Sequence, residues 1–183
     1  MRRPEIIVIA HNIRSTHNVG AIFRTCEGFG VSRLILSGYT PYPDMALCAV
    51  SSTRPDHNTS PMIDPRLPHI RQKITQQIHK TALGAEAIVP FAYQEELDLS
   101  VVRGYRLVAL EQADHSIPLQ QYHPPAKVAL LLGEEVHGIT AELLSRMDDI
   151  IEIPMCGQKE SFNVSVATGI ALYALVSNPM SAV

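Results

Sequence analysis

Two segments constrain the fold most: Lys127–Leu132 reads Lys-Val-Ala-Leu-Leu-Leu, and Glu5–Ala10 reads Glu-Ile-Ile-Val-Ile-Ala. Runs this apolar, without alternation, suit parallel strands covered on both faces, since every side chain needs a dry neighbour. Parallel strands cannot be joined by tight turns, so each needs a crossover, usually a helix. The chain supplies them. Asn18 suits a helix N-cap, and that helix runs to about Phe29, ended by Gly28 and Gly30. Helical patterns follow at His69–Lys80, Gln94–Val102, Ala141–Met147 and Asn163–Val176, with strand patterns at Arg33–Ser37, Glu86–Phe91, Tyr105–Leu110 and Ile150–Ile153. This alternation predicts an α/β protein with a parallel sheet flanked by helices. Residues 38–68 are rich in Pro, Ser, Thr and Asp and read as a loop, part of an irregular excursion over about 41–72.

Bulk properties remove several function classes. The 183 residues make one domain, 1–183, without internal repeats, and no second RNA-binding domain is expected on either side. No apolar run reaches membrane length, and the short strand after Met1-Arg2-Arg3 is too brief for a secretion signal. Cys26, Cys48 and Cys156 form no CxxC pair, so a disulfide framework or zinc site is not expected and a reducing cytoplasm is. The histidines do not pair at helical spacing with a Glu, so no metal is expected. Neither a GxGxxG after the first strand nor a GxxxxGK[ST] loop occurs, which disfavours dinucleotide and P-loop nucleotide sites.

Net charge is −3, yet the charges are unevenly spread. Residues 1–80 hold ten Lys and Arg against five Asp and Glu; residues 81–183 hold five against thirteen. A basic face on an acidic body fits that split, as does ordinary solvated surface.

Three polar segments each follow an apolar strand: Asn18-Val-Gly-Ala-Ile-Phe-Arg24, Leu132-Gly-Glu-Glu-Val-His-Gly138, and the loop from Ile153-Pro-Met into Ser161-Phe-Asn-Val-Ser-Val-Ala167. Taken singly, Asn18 and Ser161 could be helix caps and Arg24 a solvated helix residue. In a parallel sheet, however, loops that leave strands gather at one edge, where such folds hold ligands. Cys156 has no nearby His to orient it, so a thiol mechanism is not expected.

These three segments resemble the motifs of the SPOUT RNA methyltransferases, in particular the SpoU/TrmH branch of ribose 2′-O-methyltransferases. His79-Lys-Thr-Ala-Leu-Gly-Ala-Glu86 is similar to a phrase of the same branch. The resemblance implies a C-terminal deep trefoil knot, a rare exception to unthreaded topology, and a homodimer that takes S-adenosylmethionine. By position, it implies that Gly133, Ile153 and Phe162 line the cofactor pocket, with Leu110 beside them. It also implies functional polar roles for Asn18, Arg24, Glu135, Ser161 and Asn163. Phe162 stands where leucine is usual, and Glu134 where other members carry Asn or Ala.

The implied chemistry is in-line methyl transfer to a ribose hydroxyl, in which orientation supplies much of the acceleration. A guanidinium stays protonated, so Arg24 is expected to hold a phosphate and stabilise the forming alkoxide, not to act as a base. Asn18, Ser161 and Asn163 would orient Arg24 and the ribose, and Glu135 would fix loop amides. The RNA, with tRNA favoured over rRNA, is expected to cross the basic half through Arg14, Arg54, Arg66 and Arg71, with Lys73 nearby. The last helix is expected at or near the dimer interface; its small residues, Gly169 and Ala171 among them, suit close approach to a second subunit or equally tight packing against the sheet. A non-catalytic RNA- or ribosome-binding protein on the same scaffold is the alternative.

Overall fold

The computed structural model describes residues 3–46, 64–134, 137–178 and 180. Seven strands form one parallel sheet: β1 (Glu5–His11), β2 (Arg33–Ser37), β3 (Phe91–Gln94), β4 (Arg106–Leu110), β5 (Ile117–Pro118), β6 (Lys127–Leu132) and β7 (Asp149–Glu152). Their spatial order is β3-β2-β1-β6-β4-β7-β5. Four helices connect or cover them: α1 (Thr16–Phe29), α2 (Pro68–Ala82), α3 (Ala141–Leu144) and α4 (Val164–Ser177).

The apolar runs sit at the centre. Ile6, Val8 and Ala10 enter one core with Leu34, Leu130 and Leu132, whereas Ile7 and Ile9 enter the other with Ile35 and Leu131. Burial on both faces is therefore why β1 and β6 lack alternation. The first core is closed by α1, α2 and α4 through Phe23, Ile78, Leu172 and Leu175; the second by Leu99, Val102, Ile139 and Leu143. Helices α1 and α2 meet backbone to backbone at Gly20. A Cβ there would lie 2.2 Å from Thr81 Oγ1 and 2.3 Å from the Ile78 carbonyl. Any side chain would push the helices apart, at about 1–3 kcal/mol. The packing is pinned by the Thr81 hydroxyl, which donates to the His17 carbonyl at 2.9 Å.

Several boundaries differ from the sequence reading. Ser15, not Asn18, caps α1, its hydroxyl accepting the Asn18 N–H, so Asn18 lies in the first helical turn. Gly30 ends that helix in the left-handed region at φ 68°, while Gly28 remains helical. The strand expected at Glu86–Phe91 is instead a 3-10 turn at Ala85–Ala87 followed by β3. Glu86 is buried because its carboxylate accepts the Gly84 N–H at 3.0 Å and pairs with His79 at 2.5 Å. That commitment holds the turn and delays the strand to Phe91. Since Gln94 then pairs with Ser37 in the sheet, the helix expected from Gln94 shrinks to a 3-10 turn at Leu99–Val102. The helix expected to Met147 ends at Leu144, and the two-residue strand β5 is too short to leave a pattern in the sequence.

Candidate functional site

The pairings are parallel throughout, so the strand exits at His11, Ser37, Leu110, Leu132 and Glu152 share one edge of the sheet. Between the exits of β6, β4 and β7 lies a cleft of about 320 Å³, within the range of small-ligand sites. Leu110, Gly133, Ile153 and Phe162 all line it, together with Ser161. Three sequence segments far apart in the chain thus converge. Its apolar lining also includes Leu132 and Val164, and its acidic lining is Glu111, Glu134, Glu152 and Glu160.

Gly133 is a glycine for steric reasons. A Cβ there would meet Ile139 Cγ1 at 2.5 Å and the Gly138 carbonyl carbon at 2.9 Å, so the loop folds back against its own start. The Gly138 N–H donates to the Glu134 carbonyl at 3.0 Å, and Gly138 itself has φ 66°. Glu134 also reaches outward, accepting from Arg14 Nη2 at 3.3 Å. Tyr39 joins this rim: burial, and then its hydrogen bond to the Glu134 carboxylate, push its hydroxyl above the ordinary tyrosine range.

Beside the cleft, the first turn of α1 meets the start of α4. Asn163 Nδ2 donates to Asn18 Oδ1 at 3.2 Å, and Asn163 Oδ1 caps α4 by accepting the Ser165 N–H at 3.0 Å. Two asparagines 145 residues apart in the chain are thereby brought together. Arg24 is exposed on α1. Among the described residues, no hydrogen bond joins its guanidinium to Asn18, Ser161 or Asn163, so the expected orientation of Arg24 by those three is not built into this structure. Its neighbour Thr25 faces Gly169 of α4. Glu135 and Arg54 lie outside the described residues.

The expected RNA arginines fare differently from one another. Arg14 is open, its side chain 75% exposed. Arg71 is half-buried and bonds Asp44 at 3.4 Å. Arg66 is committed to the fold. Its guanidinium donates to Asp64 at 2.6 Å, to the Tyr42 carbonyl at 2.7 Å and to the Pro43 carbonyl at 3.0 Å. It also lies 3.4 Å over the Tyr42 ring, which stacks on Tyr93. These hydrogen bonds hold Asp64 below the usual carboxylate range. With its donors engaged, Arg66 fastens the chain on either side of the segment 47–63 and has little left for phosphate.

On α4, Ala171 is fully buried in the core and Gly169 faces α1, so of the two readings of these small residues the structure shows packing within the chain. The outward stripe is Val166, Ile170 and Tyr173, which are 49%, 36% and 64% exposed. Sequence reasoning also missed Glu111 and Gln112, which line the cleft next to Leu110. The available signal was their place: the first polar residues after an apolar parallel strand. Among the described residues no helix is long and apolar enough to cross a membrane, and no cluster of metal-ligating side chains occurs.

The chain is similar to known proteins in sequence and in fold. A tRNA (guanosine(18)-2′-O)-methyltransferase of Aquifex aeolicus is 31% identical over 172 residues, covering 94% of this chain and 69% of that protein. The crystal structure of the A. aeolicus TrmH/SpoU tRNA modifying enzyme superposes with a TM-score of 0.66 at 27% identity, over 95% of this chain and 75% of that one. An AdoMet-bound rRNA methyltransferase from Sinorhizobium meliloti shares the fold, with a TM-score of 0.71 at 24% identity, and this chain spans 94% of its own length but 56% of that structure. The model of the SpoU rRNA Methylase family matches residues 5–57 and 66–173. By its motifs, its sheet and the extent of that match, the chain belongs to the SpoU rRNA methylase family.

Proposed function

We propose that this protein transfers a methyl group from S-adenosylmethionine to a ribose 2′-hydroxyl of RNA, with tRNA favoured over rRNA. The observation that carries the reading is the convergence of Leu110, Gly133, Ile153, Phe162 and Ser161 on one cleft, adjoining the Asn18–Asn163 contact. The lining fits the cofactor: apolar side chains suit an adenine ring, and four carboxylates favour a cationic sulfonium over an anionic ligand.

When bound, S-adenosylmethionine supplies an electrophilic methyl group. The chain's own residues do the rest. Arg24, exposed on α1 beyond the asparagine pair, holds a phosphate next to the target ribose and stabilises the charge that develops on its 2′-oxygen. Asn18, Asn163 and Ser161 set the position of that ribose relative to the cleft, and Glu135 fixes the loop that it occupies. Arg14, Arg54 and Arg71 guide the phosphate backbone. The tRNA preference follows the Aquifex relative's name.

The same reading includes one SPOUT domain over residues 1–183, a trefoil knot among the loops of β6 and β7, and work in the cytoplasm without a metal. It also includes a homodimer. Helix α4 is apolar around its circumference, and its Val166–Ile170–Tyr173 stripe stands at helical spacing on the outside, as an interface core would.

The test combines titration calorimetry with mass-spectrometric mapping of ribose methylation in RNA from cells with and without the gene. Micromolar binding of one S-adenosylmethionine per chain and the loss of one 2′-O-methyl mark are expected. Folded protein that binds no cofactor removes the methyltransferase reading.

A further inference from the structure

We propose that Glu111 and Gln112, the two residues that leave β4, are positioning residues that brace the two opposite walls of the cofactor cleft. The proposal rests on the methyltransferase reading and adds to it a pair that the motifs do not contain.

Strand β4 lies between β6 and β7, so its exit sits between the two loops that wall the cleft. The Glu111 N–H donates to the Ile151 carbonyl at 3.0 Å, anchoring the dipeptide to β7. From there the Glu111 carboxylate turns towards the β6 loop. Its Oε2 accepts the Ile139 N–H at 2.8 Å, and its Oε1 accepts the Gln112 N–H at 3.0 Å. A Cβ on Gly138 would lie 2.4 Å from Oε2, so the carboxylate occupies the space that the glycine leaves empty. The loop that carries Gly133 is thereby held from behind. Gln112 points the other way, and its Nε2 donates to the Glu160 carbonyl at 2.7 Å, in the loop that presents Ser161 and Phe162.

Among the described residues neither loop contains a helix or a strand of the sheet, so these side-chain bonds contribute to setting the width of the cleft. Bonds of this kind organise a binding surface before the ligand arrives and lower the ordering cost of binding. They touch neither the proposed reacting atoms nor the RNA face. Their loss should therefore appear in cofactor affinity, not in the chemical step.

The test uses the full chain with S-adenosylmethionine and a methyl-accepting RNA. Glu111→Gln keeps the size of the side chain but cannot accept from both amides, and it also removes one of the four cleft carboxylates; Gln112→Ala, at an exposed position, removes the second brace with no change of charge and so separates bracing from electrostatics. We expect KM and Kd for S-adenosylmethionine to rise about tenfold or more in Glu111→Gln, the effect of one charge-assisted hydrogen bond. A smaller rise of about threefold is expected in Gln112→Ala. In both, kcat at saturating cofactor and KM for RNA should stay within about twofold of wild type. If Glu111→Gln does not fold, Gln112→Ala alone decides. Unchanged cofactor KM in Gln112→Ala, or a fall in kcat without a rise in KM, overturns the proposal while leaving the methyltransferase reading intact. Wild-type protein that binds no S-adenosylmethionine sinks both.

Discussion

The shared edge of the sheet has two halves that differ in charge and in how their side chains are held. On the β1–β2–β3 side, Arg14 is exposed and pairs with Glu134 across the edge, and Arg24 is exposed along α1, a helix whose position is fixed by the close approach at Gly20. On the β6–β4–β7 side, four carboxylates line a cleft walled by irregular loops, and side chains bond the backbone to hold them. The contrast follows from the ligands proposed for each. A polyanion needs available cations on a firm support, whereas a small cation needs a shaped, negatively charged recess. The asparagine pair is the seam between them.

The most severe break of the cleft half is Gly133→Val. Its side chain would strike Ile139 and the Gly138 backbone, which Glu111 clamps in place. Calorimetry should show cofactor binding lost beyond detection in a protein that still folds. Retained micromolar affinity would mean that the loop has room the geometry does not suggest.

Next in size is the basic half. Arg24→Ala should lower methylation at least about a hundredfold, the scale of one transition-state donor, with cofactor affinity near normal. Arg24→Lys should recover little, because a point charge cannot reproduce the bidentate fork. Single-turnover rates check both, and full activity in the lysine variant would reduce Arg24 to a source of charge.

Ile170→Glu places a charge in the outer stripe of α4 and should convert the proposed dimer to a folded monomer at tens of micromolar, by sedimentation. A wild-type monomer under those conditions would remove the dimer altogether.

The smallest effects separate Arg66 from its neighbours. Neutralising Arg14, Arg54 and Arg71 should weaken RNA binding and lower the salt slope by roughly 0.7–0.9 for each phosphate deprived of its cation. Arg66→Ala should leave that slope unchanged and instead destabilise the fold by about 2–4 kcal/mol, as expected for a mostly buried ion pair. Because Asp64 titrates below its ordinary value, the contribution of this pair is present at neutral pH and lost as pH falls through the folded-state pKa. Urea melts at descending pH check the sign: the gap between wild type and Arg66→Ala should narrow on acidification.

The uninterrupted apolar runs at Glu5–Ala10 and Lys127–Leu132 determined the central parallel strands, because nothing but burial on both faces accommodates them. Two motif glycines, Gly20 and Gly133, sit where a side chain cannot. Less legible were features set by partners far away in sequence. Asn18 looks like a cap, yet Ser15 takes that role and the Asn18 side chain meets Asn163 instead. Glu86 reads as part of a strand until its buried contacts with His79 and Gly84 are known. Arg66 has the composition of a phosphate ligand, and only the surrounding Asp64, Tyr42 and Pro43 show its donors to be occupied. Local pattern determines which residues must be buried and where the backbone needs glycine. Which polar group spends its hydrogen bonds on which partner was decided by the tertiary structure, since those bonds join residues that pattern alone does not place together.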